Sequence, residues 1–271
     1  MTYKYTFNTK QIEKISFYLM QTKKNKITIL EIGSRDAADA FYLSSILKIN
    51  HKIICFDPHP EFLILSKSFK EMSPNISIKN IAISDKNGKI PFFLTNTKDL
   101  LGKCNDNGIG ASSLKTPITN IAGLPTTGFK KILVDSVTGD AFCKKNKIKP
   151  DVLILDVQGS EIDVLRSFKK NLKNIDYLFV EFPVNKEIMY IGDASALSVI
   201  YELKKKGFFM VMCYNISSLS ADGIFLNINS FSEKKLISIL FIKVKAITQI
   251  IKFLLISRAK KTVKLILNTT L

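Results

Sequence analysis

The chain has 271 residues, 46% of them hydrophobic, which suits one full core with appendages. Its formal charge of +17 invites a nucleic-acid reading; however, lysine far outnumbers arginine, asparagine and isoleucine abound and tryptophan is absent, a compositional bias as much as a selected surface. Four scattered cysteines (Cys55, Cys104, Cys143 and Cys213), with no CxxC pair and no histidine partners, argue against a disulfide framework and a zinc site and point to a reducing compartment.

Residues 1–25 are mixed and polar and lack the continuous apolar core of an export signal, so the cytoplasm is the expected location. Residues 8–24 carry Ile12, Ile15, Phe17 and Leu19 at helical spacing and predict a lead-in helix beside the first strand. Ile27, Ile29, Leu30 and Ile32 form the short apolar run of a central parallel strand. Gly33 then allows a tight turn, and Ser34 or Asp36 can cap the helix expected over residues 37–48. Such a turn is expected to leave free backbone N–H groups beside the acidic Glu31. Those donors suit a carboxylate or phosphate, and Glu31 suits an ammonium or hydroxyl, so a nucleoside bearing an amino acid fits better than a bare pyrophosphate.

A second strand over 52–56 ends in Asp57-Pro58-His59-Pro60, where proline stops the ladder and starts a helix over 61–70. A third strand is expected over 76–83, then a hairpin turn at Ser84 to Lys89 and a strand over 90–94. Residues 96–130 hold five glycines with little periodicity and predict a lid or binding loop. Further strands are expected over 131–137, 151–157, 177–182, 208–214 and 223–228, with helices over 138–145, 161–170 and 193–206. Strands alternating with helices predict an α/β doubly wound sheet, and the closing pair predicts one antiparallel edge strand.

In such a sheet the ligand lies outside the carboxyl ends of the strands, where the chain order reverses. The strand ends supply Glu31, Asp57, nearby Asp85, Asp156 and Glu181, carboxylates that would repel one another without ligands. Asp57 follows Gly33 by 24 residues, a spacing at which an acid accepts both hydroxyls of a ribose. Nicotinamide dehydrogenases share that spacing, but the turn here has a single glycine and lacks the close approach that GxGxxG gives a pyrophosphate. His59, between two prolines, reads as structural more readily than catalytic.

The chain resembles the FkbM-type S-adenosylmethionine-dependent methyltransferases. The resemblance rests on Glu31-Ile32-Gly33, Phe56 to Pro60, Ala82-Ile83-Ser84-Asp85, Gly110 to Leu114, Val137 to Asp140, Leu155 to Glu161 and Phe179-Val180-Glu181, and covers about residues 27–215. Two positions depart from it: Ala37 stands where glycine is common, and Gln158 where glutamate is common. The resemblance implies a Rossmann-like seven-stranded methyltransferase sheet and methyl transfer from S-adenosylmethionine to a hydroxyl of a sugar, glycan or related small product. It implies that Glu31, Gly33 and Ser34 hold the methionine end, Asp57 the ribose, and Ala82, Ile83 and Ser84 the adenine. Asp156 is the first candidate to orient the acceptor or take its proton, Glu181 the second, with Glu161 behind it; Ser112 and Ser113 are candidates to touch the acceptor from the lid. No metal ligands are read.

The boundaries that follow are a methyltransferase domain over 1–230 and a basic helical tail over 231–271, which holds nine Lys or Arg and one Glu. Within it, residues 236–256 are apolar apart from Lys243, Lys245 and Lys252 and a few uncharged polar residues; three lysines at about 3 kcal/mol each oppose a spanning helix. Peripheral contact with an anionic membrane or packing against the domain or a partner fit this stretch equally, and the former suggests a lipid-linked sugar as acceptor. Two rivals stay open: a NAD-dependent oxidoreductase, and a basic module that binds membrane or nucleic acid without catalysis. The aromatic interleaving expected of single-strand binding is not evident, so no nucleic-acid partner is expected.

Overall fold

The computed structural model describes residues 9–95, 109–118, 129–184, 189–217 and 219–230. The expected tail, with its 236–256 segment, lies outside them, as do 96–108 and 119–128 of the expected lid. Helix α1 (Thr9–Leu19) leads into β1 (Lys26–Ile32), α2 (Ala38–Ile46) and β2 (Asn50–Phe56). Two short helices, α3 (Phe62–Leu65) and α4 (Lys67–Met72), precede β3 (Ile76–Lys79), β4 (Ala82–Ile83) and β5 (Gly88–Thr95). Then come β6 (Phe129–Val137), α5 (Gly139–Asn146), β7 (Val152–Leu155), α6 (Glu161–Ser167), β8 (Tyr177–Pro183), α7 (Ala196–Lys205), β9 (Phe208–Tyr214) and β10 (Ser220–Asn227).

The main sheet has seven strands in the order β3-β2-β1-β7-β8-β10-β9, a Rossmann-like α/β arrangement. The apolar runs earn both faces. On β1, Ile27 and Ile29 pack with Ile12, Ile15 and Leu19 of α1 and Leu43 of α2, while Leu30 and Ile32 pack with Phe142, Val164, Leu165 and Val199 of the helices opposite. Two-residue alternation on a strand covered from both sides produces this division. Chain order runs outward from β1 in one direction and from β7 in the other, so the reversal lies between them, at a crevice beyond their carboxyl ends.

Four local expectations are corrected. The helix expected over 61–70 breaks at Ser66, whose amide and hydroxyl both donate to the Phe62 carbonyl, at 3.0 and 2.5 Å. The strand expected over 76–83 divides in two, because the Asn80 amide donates to the carbonyls of Asp57 and His59, both at 2.8 Å, and turns the chain out of the main sheet. Its second half, β4, joins a separate three-stranded sheet ordered β4-β6-β5. The turn at Ser84 to Lys89 therefore joins strands that do not pair with each other; β6 lies between them, parallel to β4 and antiparallel to β5. At the far rim of the main sheet, the reversed strand is β10, one place in from the edge. It pairs antiparallel with both β8 and β9, leaving β9 outermost and running with the rest. Among the described residues no helix is long and apolar enough to cross a membrane.

Candidate active site

The turn after β1 is set by close approach. Gly33 has φ +84°, and a Cβ there would lie 1.7 Å from the carbonyl oxygen of Asp156. The Asp156 amide donates to Ile32 at 3.0 Å, continuing the β1–β7 ladder to the crevice. The expectation of free amides in this turn is corrected. Those of Gly33 and Ser34 donate to the Phe56 carbonyl at 2.9 and 3.0 Å, Arg35 donates to Asp57 Oδ2 at 2.8 Å, and Ala38 to Asp36 Oδ1 at 3.0 Å. Neither capping candidate holds the N-cap position, which falls to Ala37; Asp36, one residue earlier, takes the first helical amide, and the Ser34 hydroxyl instead donates to Glu31 Oε2. The turn satisfies its own donors, so a ligand here is gripped chiefly by side chains.

Glu31 is 5% exposed. Burial pushes its carboxyl up to about 8; the Ser34 hydroxyl pulls it back, and the Asp39 charge adds to the rise. Asp57, at the end of β2, accepts from the amides of Arg35 and His59, both at 2.8 Å. Burial raises it to about 6 against those two bonds. The His59 ring stands edge-on to Phe92, its Nδ1 accepts the Glu61 amide at 3.2 Å, and burial lowers its pKa, so it stays neutral and structural.

Glu31, Gly33, Ser34, Asp57, Ala82, Ile83, Ser112, Ser113 and Asp156 all line one cavity of about 320 Å³ at the reversal point. Ser84, Glu161 and Glu181 do not line it. Ser84 is buried in its own turn, with its hydroxyl 2.8 Å from that of Ser136. Glu161 faces back to accept the Gly159 amide at 3.0 Å. Glu181 lies behind Asp156 on the neighbouring strand. The described part of the lid, 109–118, is stitched in place: Phe93 and Ser113 exchange backbone bonds at 2.8 and 3.1 Å, and the Ser113 hydroxyl donates to the Gln158 carbonyl at 2.6 Å. Ala82, Ile83 and Phe92 form an apolar wall, and Gln11, Ile12 and Ile15 of α1 cover another side.

Asp156 opens to the cavity. Burial of the surrounding site, then the charge of Glu181, hold its carboxyl well above the usual carboxylate range, while the Gln158 amide, donating to Oδ1 at 2.7 Å, opposes this. Gln158, with φ +52°, is thus more than a departure from a motif. Its Oε1 lies 3.0 Å from the Tyr190 hydroxyl, which is also 2.9 Å from the Ala111 carbonyl, so Tyr190 ties Asp156's partner to the lid. Sequence reasoning missed Tyr190 because nothing local marks a residue 32 positions from its partner. It also missed Arg35 and Phe92, which line the cavity.

The cavity fits S-adenosylmethionine. Its volume lies in the ordinary ligand range; the buried Glu31, which makes no ion pair among the described residues, offers an acceptor to an ammonium; and the apolar wall suits a base. The Methyltransferase FkbM domain model matches residues 31–210. Over 158 residues the chain is 27% identical to the 2-O-methyltransferase NoeI of Sinorhizobium fredii (strain NBRC 101917 / NGR234), covering 57% of this chain and 62% of that protein. The chain thus spans less than two thirds of the curated relative. Among solved structures it is similar to a precorrin-6y C5,15-methyltransferase from Geobacter metallireducens (10% identity, TM-score 0.43, 79% of this chain and 85% of that one). It is also similar to the N-methyltransferase NodS from Bradyrhizobium japonicum WM9 (12%, TM-score 0.41, 80% and 84%). Likeness so distant bears on neither substrate nor residue roles.

Proposed function

Because the chain belongs to the FkbM family of S-adenosylmethionine-dependent methyltransferases, we propose that it methylates a hydroxyl oxygen of a sugar, glycan or related small acceptor. The observation that carries this reading is the meeting of Glu31, Asp57 and Asp156, from three successive strands of the sheet, around one cavity. The family match favours this cofactor over NAD, which the spacing of Gly33 and Asp57 had left in play. The hydroxyl and the sugar rest on the motif resemblance and on the relative named a 2-O-methyltransferase. A lipid-linked acceptor, with peripheral membrane contact through residues 236–256, belongs to the same proposal and rests on sequence alone.

In this reading Glu31 takes the ammonium of the cofactor, with Gly33 and Ser34 shaping that end, Asp57 accepts the ribose hydroxyls and Ala82 and Ile83 flank the adenine. When bound, S-adenosylmethionine supplies a methyl group already activated by its sulfonium, so the protein's task is alignment, exclusion of water and removal of one proton. Asp156 performs the last at the acceptor oxygen. A carboxylate of ordinary pKa is a weak base for an alcohol, and the raised affinity of Asp156 for protons improves the match. The Gln158 amide holds Oδ1 and leaves Oδ2 to the acceptor. Ser112 and Ser113 close the acceptor side, and α1 shields the pocket from solvent.

Isothermal titration with S-adenosylhomocysteine and with NAD, followed by transfer of labelled methyl to a cell-envelope glycan extract, tests this. Micromolar binding of the former and label in a sugar fraction are expected. Binding of NAD with none of the adenosyl compound overturns it.

A further inference from the structure

Behind Asp156 the fold gathers an excess of negative charge that the reaction above does not require. Burial, and then the charges of Asp156, Glu161, Glu181 and Asp193, oppose ionisation of the Tyr190 phenol, so all four carboxylates lie within electrostatic reach of it. Asp222 of β10 sits directly across the ladder from Glu181. Asp193 accepts from the Tyr190 amide, and Asp222 from Gln11 and Asn215. The others are not all satisfied. Glu161 is 2% exposed and, among the described residues, its Oε2 has no hydrogen-bond partner. Glu181 is half-buried, and among the described residues it makes no hydrogen bond or ion pair. Lys14 lies near enough to attract Asp222, but its ammonium rests 4.1 Å over the Tyr214 ring. Buried like charges without a cation are costly, and an unpaired buried carboxylate oxygen is the costliest part. Among the described residues no three such groups converge as metal ligands. The arrangement suits an organic cation reaching across two strands instead.

We propose that the acceptor is an amino sugar, or a similar amino alcohol, whose protonated amine is held by Glu181, beside the cavity rather than in its lining and in the field of the buried Glu161, while Asp156 takes the neighbouring hydroxyl. This rests on the methyltransferase reading above. The register Leu155 to Val180 sets Asp156 beside Glu181 on adjacent parallel strands, with backbones about 4.8 Å apart, so the two carboxylates can each reach one of two neighbouring substituents of a sugar ring. The pairing also explains selectivity for oxygen. An amine kept protonated by Glu181 has no lone pair to attack the methyl, so the bond formed is from methyl carbon to the hydroxyl oxygen. The carbon–sulfur bond breaks, and the hydroxyl proton passes to Asp156.

The test uses the full chain loaded with S-adenosylhomocysteine and three methyl glycosides that carry a free amine, an N-acetyl group or a hydroxyl at the same carbon. At pH 8 the amine should bind about tenfold tighter than either other form. The preference should vanish in Glu181→Gln and weaken at pH 5.5, as Glu161 and Asp222, both raised to about 7, take up protons. Glu161→Gln should reduce it partway while leaving the urea midpoint at pH 8 no lower, which separates loss of charge from loss of fold. Equal binding of the three glycosides overturns the proposal, as does a preference unchanged in Glu181→Gln. So does Glu181→Gln weakening S-adenosylmethionine relative to S-adenosylhomocysteine with no change for the amine, since the negative field would then serve the sulfonium. Failure of S-adenosylhomocysteine to bind the wild-type chain would overturn the methyltransferase reading instead.

Discussion

Gly33→Ala should cost far more than an ordinary glycine replacement, because the new Cβ meets backbone. It would sit 1.7 Å from the Asp156 carbonyl oxygen, and 3.0 Å is the approach that real Cβ atoms respect. Neither side can swing away by changing a rotamer, so β1 and β7 must separate where Asp156 donates to Ile32. Forced overpacking costs about 1–3 kcal/mol, the φ of +84° about 1–2 kcal/mol for a side-chain-bearing residue, and the strained hydrogen bond about 1 kcal/mol. Together these come to about 3–6 kcal/mol, a large part of the roughly 5–15 kcal/mol that holds a typical domain folded. Gly88→Ala is the control: its φ is +105°, but nothing lies within 4 Å of the new Cβ, so only the backbone term of about 1–2 kcal/mol applies. Urea unfolding reads the difference as a midpoint shift of about 1.5–3 M for Gly33→Ala against about 0.5–1 M for Gly88→Ala, at a slope near 2 kcal/mol/M. Titration with S-adenosylhomocysteine should show binding lost in the first variant and kept in the second. Equal midpoint shifts, or retained binding in Gly33→Ala, would refute the close approach of the turn to Asp156.

Asp57→Ala removes the acceptor for two backbone amides as well as the proposed anchor of the ribose; calorimetry should show S-adenosylhomocysteine affinity falling about 100-fold, and unchanged affinity would remove Asp57 from the site. Glu31, raised to about 8, is mostly protonated at pH 7, yet an ammonium requires its ionised form. Cofactor binding at pH 7 should therefore release close to one proton and strengthen as pH rises toward 8. In calorimetry this appears as a dependence on buffer ionisation heat that disappears in Glu31→Gln. Tyr190→Phe should lower stability by about 1 kcal/mol and, by freeing the Ala111 carbonyl and Gln158 Oε1, speed amide exchange over 110–118, with no change there counting against the tie.

The sheet was readable because Ile27 to Ile32 and Asp151 to Val157 advertise buried parallel strands, and their following turns carry glycine and acid where a ligand site needs them. Glu31, Gly33, Ser34, Asp57, Ala82, Ile83, Ser112, Ser113 and Asp156 do meet at one cavity. What escaped was decided by side chains acting at a distance. Asn80 splits one apolar run into strands of two sheets, and no periodicity records a hydrogen bond to a carbonyl more than twenty residues earlier. The amides of the Gly33 turn looked free because their acceptor, the Phe56 carbonyl, belongs to another strand. Ala37, where the resemblance favours glycine, adopts φ +64° while fully buried, so the chain keeps the backbone shape and bears the strain.

The corner at Asn80 gives the molecule a modular build. Main-sheet strands carry the carboxylates that line the cavity, whereas Ala82, Ile83 and Phe92 belong to the small β4-β6-β5 annex, to which Ser113 is bonded. Insertions or exchanges in that annex can remodel one wall of the cavity while the parallel ladder from β2 through β8 stays whole. A lineage built this way can reshape the apolar side of its pocket by rewriting the attachment and leave the acidic rim as inherited.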